Sequence, residues 1–409
     1  MPKTIISVDI KKDPRELDPP PHNRWHPDIP AVVSTKPGDD FRVECMDWTG
    51  GQIKNDNSAN DIRDCNLAPC HHLFGPIDVA GAEPGDILVV DILDIGAFRG
   101  NEWGYTGIFS TQNGGGFLTD LYPEPRKAIW DFHGIYTTSR HIPGVRFAGI
   151  THPGLIGCAP DHALLARWNK REAALIATNP KRVPPLALPP TPDGVILGRL
   201  KGAELEKAAK EACRTIPPRE HGGNCDIKNI SRGSRIYFPV YVKGAKLSMG
   251  DFHFSQGDGE ITFCGAIEMA GWIDLHVELI KGGVAMYGLT NPLFKVSPVD
   301  PKYGDFLVFE GIGVGEDDKQ YYNDVTVAYR RACLNAIAYL KKFGYSGEQA
   351  YAILGTAPVE GRVAGVVDIP NACVSIAIPT EIFEFDIRPN SAGPKKHVDS
   401  SKADLARAS

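Results

Sequence analysis

Within the stretch SMGDFHFSQGDGE, residues 248–260, Asp251, His253, Asp258 and Glu260 stand among the glycines Gly250, Gly257 and Gly259. A carboxylate and an imidazole separated by one residue on an extended chain share a face, the short-range geometry with which two side chains bind one divalent cation. Extended alternation after Gly250 puts Asp251, His253 and Ser255 on that face and turns Phe252 and Phe254 toward a core. The turn GDGE then brings Asp258 and Glu260 back toward the same face, with glycines that permit close approach of backbone or ligand. A solvated acidic hairpin accounts for the same residues. Downstream, Glu268 interrupts the apolar run GAIEMAGWIDLHVE; if buried, it requires a partner or a raised pKa.

Other clusters carry weaker signals. HNRWHPDIP, residues 22–30, gathers His22, Arg24, Trp25 and His26 in a segment that Pro27 and Pro30 hold extended; an arm packing its Trp on the surface reads equally well. PREHGGNCDIKNI, residues 218–230, sets Asn224 and Asp226 after a glycine pair. Alternation turns Cys225 away from that pair of polar side chains, as an inert buried thiol. The Asp-, Asn- and Gly-rich stretch 46–65 reads as a site loop or as a polar loop of Asx turns. His71 and His72 precede a strand and read as structural rather than ligating. The sequence has no G-x-S-x-G elbow, no P-loop, no G-x-G-x-x-G opening a helix and no H-E-x-x-H.

Such groups need a scaffold, and the chain punctuates one with 43 glycines and 33 prolines. DDFRVECMDW follows KPG, DILVVDILDI follows EPG, SRIYFPVYV follows RG and DFHFSQ follows MG, each a turn leading into a strand. The segments 79–90 and 242–254 share a V-x-G-A…G-D frame that hints at a duplicated β unit. Helices are expected over 160–178 with Asp161 as N-cap, over 201–215, over 324–344 ending at Gly344, and over 346–354 capped by Ser346. The fold class is mainly β, with sandwich- or barrel-like sheets and a few peripheral α-helices (α+β). We expect one domain over 1–388, with two β-rich halves joined near the proline-rich stretch 178–200, and a flexible tail over 389–409.

The bulk numbers narrow the function. A chain of 409 residues with 42% hydrophobic and 23% charged residues can bury a sizeable core, and a net charge of −6 spread along it offers nucleic acid no basic face. No window approaches the ~18 uninterrupted apolar residues of a membrane span. Nine scattered cysteines without a CxxC pair suggest reduced thiols and a cytoplasmic protein.

HNRWHPDIP, DWTGGQI, HHLFGPIDVAGAEPGD, HPGLIGCAP, GGNCDIKN, GDFHFSQGDGEITFCGAIE and RVAGVVDIPNACVSIAIP together resemble the signature blocks of the formamidase/acetamidase family, from residue 22 to about 380. The form HNRWHPDIP is closer to formamidases than to acetamidases. The resemblance implies hydrolysis of formamide to formate and ammonia in a β-rich, oligomeric protein with a bound divalent metal, zinc first among candidates. The Glu–Lys–Cys set of nitrilase-type amidases is not found. A poor electrophile with a poor leaving group calls for carbonyl polarisation, an activated water and a proton shuttle. On that chemistry the expected ligands are Asp251, His253 and Asp226, with His22 in reserve. Glu260 is the expected shuttle, Asn224 orients the amide, and Asp258 is grouped with them as catalytic. Trp25, His22, Phe252 and Glu268 are expected to face the substrate. A broader short-chain amidase or γ-lactamase is the alternative enzyme, and a metal- or small-ligand-binding β protein the alternative of another class.

Overall fold

The computed structural model describes residues 2–178 and 188–409. The turn-then-strand pattern builds two large sheets. One has six strands in the order Lys3–Ile6, Asp40–Cys45, Gly271–Ile280, Ile87–Ala97, Arg235–Pro239, Leu293–Lys295. The other has twelve, and five neighbours at its middle matter here: Trp103–Ile108, Phe263–Met269, Leu247–His253, His152–Cys158 and Gly222–Asn224. Inward side chains of both sheets, among them Leu88, Val90, Ile236, Phe238, Leu247, Met249, Phe252, Phe254, Ile273 and Leu275, fill one continuous core. Phe254 stacks on Phe132 with ring centroids 4.0 Å apart. Burying each such side chain stabilises the fold by about 1.5–3 kcal/mol.

The two echoed segments meet in space. The Val79 N–H donates to the Gly244 carbonyl and the Gly244 N–H to the Ala82 carbonyl, both at 2.9 Å. Their strands exchange partners: Phe74–Val79 pairs with Leu247–His253, and Ile87–Ala97 with Arg235–Pro239.

Helices lie outside the sheets. His162–Thr178 starts where expected, with the Leu164 N–H donating to Asp161 Oδ1 at 2.7 Å. Val325–Leu340 is capped by Asp324 and runs through a 3-10 turn to Gly344 at φ 106°. Gly347–Thr356 opens on a capping box between Ser346 and Gln349. The helix expected over 201–215 stops at Ala209, because Cys213–Arg214 pairs with Arg24–Trp25 and Cys213 packs in the cluster around Trp25. A three-stranded sheet, Phe306–Ile312, Cys373–Pro379 and Glu360–Gly365, packs on Val325–Leu340.

The C-terminal stretch departs from the expected loose tail. Val398 and Leu405 are buried, Ala406–Arg407 adds a strand to Arg126–His133, and the His397 ring stacks on Phe385 at 4.3 Å. A few apolar anchors in a polar segment are enough to dock it. Of the proline-rich connection expected between 178 and 198, residues 179–187 lie outside the described residues. Among the described residues no helix is long and apolar enough to cross a membrane.

Candidate active site

The strand Leu247–His253 runs between Phe263–Met269 and His152–Cys158, and its register sets His253 opposite Glu268 on one side and His152 on the other. Cross-strand partners have Cβ atoms only about 5 Å apart. His253 Nε2 accordingly lies 3.0 Å from Glu268 Oε2 and 3.3 Å from Asp251 Oδ1. Phe252 and Phe254 point into the core as alternation predicts. Alternation is not regular, however: Asp251 adopts φ 58° inside the strand. Asp226 (φ 49°) and Glu260 (φ 45°) share this left-handed conformation. Side chains held there cost of order 1 kcal/mol each and cluster at functional sites.

Gly154 sits at the centre of these groups. A Cβ on it would lie 2.5 Å from His253 Cε1, 2.8 Å from Asp226 Oδ1 and 2.9 Å from Asp251 Oδ2. Only a residue without a side chain lets the acids and the imidazole converge. The Gly154 carbonyl also accepts the Asp226 N–H at 3.2 Å, holding Asp226 to this strand.

A cavity of about 480 Å³ opens onto the cluster. Asp226, Asp251, Glu260 and Glu268 line it together with His71, Asn224 and Gln256, and Trp48, Phe117, Ile216 and Phe263 supply apolar wall. Burial and mutual charge govern these groups. Burial, then the Asp251 charge, pushes Asp226 up to about 7. Burial and Asp226 hold Glu260 well above the usual carboxylate range. Burial raises Glu268 to about 8, although His253 works against it. Asp251 goes the other way: burial alone would raise it, but His253 and His71 outweigh burial and leave it at about 2. Burial would lower His253 too, yet Glu268 and Asp251 hold it well above an ordinary imidazole. Four buried carboxyl groups around one imidazole disfavour one another's charge, so the cluster is short of positive charge.

The residues fit a divalent cation. Asp226, His253 and Glu260, and again Asp251, His253 and Glu268, each present ligand atoms within 4.8 Å of one another. Asp226 Oδ1 is a buried acceptor with no hydrogen-bond donor among the described residues, and Glu268 Oε2 meets only the His253 ring, 3.0 Å away. Carboxylate oxygens combined with an imidazole nitrogen suit zinc-like ions better than calcium, which takes six to eight oxygens.

The structure thus brings Asp226, Asp251, His253, Glu260, Glu268 and Asn224 to one site. It takes the remaining expected residues elsewhere. Trp25 is buried edge-on against His221 at 4.5 Å, in an apolar cluster with Leu155 and Trp168 and away from the cavity wall. The His22 ring bridges Ser248 Oγ and the Arg24 carbonyl, both at 2.8 Å. Phe252 belongs to the core, on the face opposite the acids. The Asp258 carboxylate is engaged by buried Lys228 and accepts the Gly361 N–H at 2.8 Å, so it clamps the loop that carries Glu260. Cys225, expected to face away, lines the cavity because the chain turns at Asp226; burial, then Asp226, lifts its thiol to about 11, so it is no thiolate at neutral pH.

Two residues of the cavity wall, His71 and Gln256, and one behind it, His152, were not among the expected site residues. His71, read as structural, lines the cavity with Nε2 3.9 Å from Asp251 Oδ2, and its Nδ1 meets Thr215 Oγ1 at 3.0 Å. His152 and Gln256 meet His253 Nδ1 at 3.2 and 3.0 Å. His152 and Gln256 stand within the blocks HPGLIGCAP and GDFHFSQGDGEITFCGAIE, but no spacing of residue types singled them out.

A β-rich enzyme with a buried carboxylate–histidine centre is the class that this fold and cavity define. The chain belongs to the Acetamidase/Formamidase family, whose model matches residues 7–385. It is 66% identical to a formamidase of Methylophilus methylotrophus, over 96% of this chain and 97% of that one. It is 62% identical to an acetamidase of Mycolicibacterium smegmatis, over 89% and 92% of the two chains. Its fold superimposes on a solved gamma lactamase from Delftia acidovorans with a TM-score of 0.97 and 61% identity, covering 100% of this chain and 99% of the other. It is an amide-hydrolysing enzyme.

Proposed function

We propose that this enzyme hydrolyses formamide to formate and ammonia at the carboxylate–histidine cavity, and that the cavity holds a divalent cation, zinc first among candidates. The observation that carries the reading is the convergence of His253 Nε2 on Asp251 and Glu268 beside Asp226, whose buried Oδ1 meets no donor among the described residues. Asp251, His253 and Glu268 would hold the cation, with Asp226 beside them. A cation there supplies Lewis-acid polarisation of the amide carbonyl and an acidified water at neutral pH.

The chain's own groups account for the rest. Addition of water to the carbonyl forms a C–O bond and releases a proton, collapse of the tetrahedral adduct breaks the C–N bond, and the departing nitrogen takes up a proton. Glu260, buried beside Asp226 and held well above the usual carboxylate range, is our proposed shuttle of that proton from water to nitrogen; such a positioned acid–base group contributes about 10²–10⁴-fold. Asn224 Nδ2 is committed to the Ile216 carbonyl at 3.0 Å, which leaves its unpartnered Oδ1 to accept an N–H of the substrate amide.

Formamide is much smaller than the roughly 480 Å³ cavity, which favours a wider range of short amides, including γ-lactams. A hydrophobic wall discriminates one methylene by only ~1–3 kcal/mol. The expected setting is a cytoplasmic homo-oligomer; exposed Val308, Ile312 and Val363 on the three-stranded sheet offer apolar surface for self-association.

The test is ammonia release from formamide, acetamide and a γ-lactam by the protein as purified, with elemental analysis of the same sample. Release from formamide with near-stoichiometric metal supports the reading. Turnover of the lactam alone would give the site to the alternative substrate, and full activity in metal-free protein would remove the cation.

A further inference from the structure

Behind His253, on the side away from the acids, three polar groups meet. His253 Nδ1 lies 3.2 Å from His152 Nε2 and 3.0 Å from Gln256 Oε1, and Gln256 Oε1 lies 3.0 Å from His152 Nε2. All three residues are almost wholly buried. Their outer partners settle where the hydrogens sit. His152 Nδ1 is 2.7 Å from the Ile150 carbonyl, which only accepts, so His152 carries its hydrogen on Nδ1. With that hydrogen on Nδ1, the neutral ring offers a lone pair at Nε2. Gln256 Nε2 donates to the Asp226 carbonyl at 2.7 Å, which turns Oε1 toward the two rings. Two acceptors therefore converge on one position, and the only hydrogen that can serve them is on His253 Nδ1.

We propose that His152 and Gln256 are positioning residues that hold the hydrogen of His253 on Nδ1, so that Nε2 always faces Asp251 and Glu268. Because the same Gln256 amide anchors the Asp226 backbone, one side chain sets both the orientation of the imidazole and the placement of an acid on the opposite wall. Partners of this kind behind a functional histidine typically change metal affinity or activity by ~10–100-fold when removed. The inference rests on the reading of His253 as a site residue, not on the identity of the substrate.

The experiment is nitrogen-15 NMR of ring-labelled histidines in the protein as purified, with the signals of His253 identified by their loss in His253→Gln. We expect a slowly exchanging Nδ1–H on His253 throughout the pH range in which the protein stays folded. Gln256→Leu removes one acceptor and the Asp226 anchor; its Nδ1–H should exchange faster and kcat fall ~10–100-fold with little change in KM. His152→Leu removes the other acceptor and should also speed exchange. Gln256→Glu keeps an oxygen at Nδ1 and should retain the protected hydrogen. Wild-type His253 with its hydrogen on Nε2 alone would overturn the proposal, as would unchanged exchange and kcat in both leucine variants. Wild-type protein that releases no ammonia from formamide would refute the proposed substrate and leave the NMR result to decide this inference separately.

Discussion

His253 and Glu268 face each other across adjacent strands, with Nε2 and Oε2 3.0 Å apart and both side chains almost wholly buried. An ion pair of this kind in a dry interior repays its desolvation only when further partners complete it. His152 and Gln256 complete the other side of His253, but on the Nε2 side the further neighbour is Asp251, which adds negative charge rather than relieves it.

If a cation supplies the missing charge, its ligands are individually removable. Asp251→Ala and His253→Ala should each lose bound metal together with activity, read as metal per chain after dialysis and ammonia released per chain. A variant with full occupancy would take that residue out of the ligand set.

Glu260 should behave differently. Glu260→Gln keeps the size and removes the proton donor, so we expect unchanged metal content and a kcat lowered ~10²–10⁴-fold. A near-normal kcat would exclude Glu260 from the mechanism.

Gly154→Ala tests the convergence itself. The new methyl would sit 2.5 Å from His253 Cε1 and within 2.9 Å of two carboxylates, so the cluster must spread. Displacing catalytic groups by about 1 Å typically lowers the rate ~100-fold. The melting temperature and circular dichroism should show a folded protein; wild-type kcat/KM in this variant would mean that the site tolerates spreading.

Away from the site, Glu220 makes acid stability predictable. Its bidentate contact with Arg171, at 2.6 and 2.9 Å, and the Trp168 indole N–H hold its carboxyl down at about 2. A carboxyl depressed by folding stabilises the protein above its unfolded pKa, ordinarily near 4.3, and loses that contribution as the pH falls through the folded value. Glu220→Gln should therefore lower the melting temperature at pH 7, with the gap to wild type closing as the pH drops from about 5 toward 2. A constant gap would show that charge is not the source. Arg171 is half exposed, so the effect at pH 7 should be small, within the ~0–1 kcal/mol of surface pairs.

Much of the site was legible in the chain. The spacing of Asp251 and His253, with Phe252 and Phe254 between and after them, marked a strand with one polar and one apolar face, and a lone Glu268 in an apolar run implied a buried partner. Caps at Asp161, Asp324 and Ser346 and the glycine at Gly344 are local chemistry, which explains why those helix ends fell close to expectation. Trp25 and His22 were misjudged because a segment without periodicity does not reveal which way its side chains point.

What sequence alone determined is therefore whatever depends on neighbours within a few residues: the mainly β class, most helix starts and stops, the acid–imidazole pair and the family resemblance. Tertiary structure decided the rest. Strand register set His152 and Glu268 on either side of His253, and the fold carried His71, Gln256 and Asp226 to the same cavity. Left-handed backbone holds Asp226, Asp251 and Glu260 on one cavity, the first two around a glycine with no room for a methyl group. These choices depend on pairing between strands distant in the chain and on the space left by packing, and no local pattern of residue types encodes either.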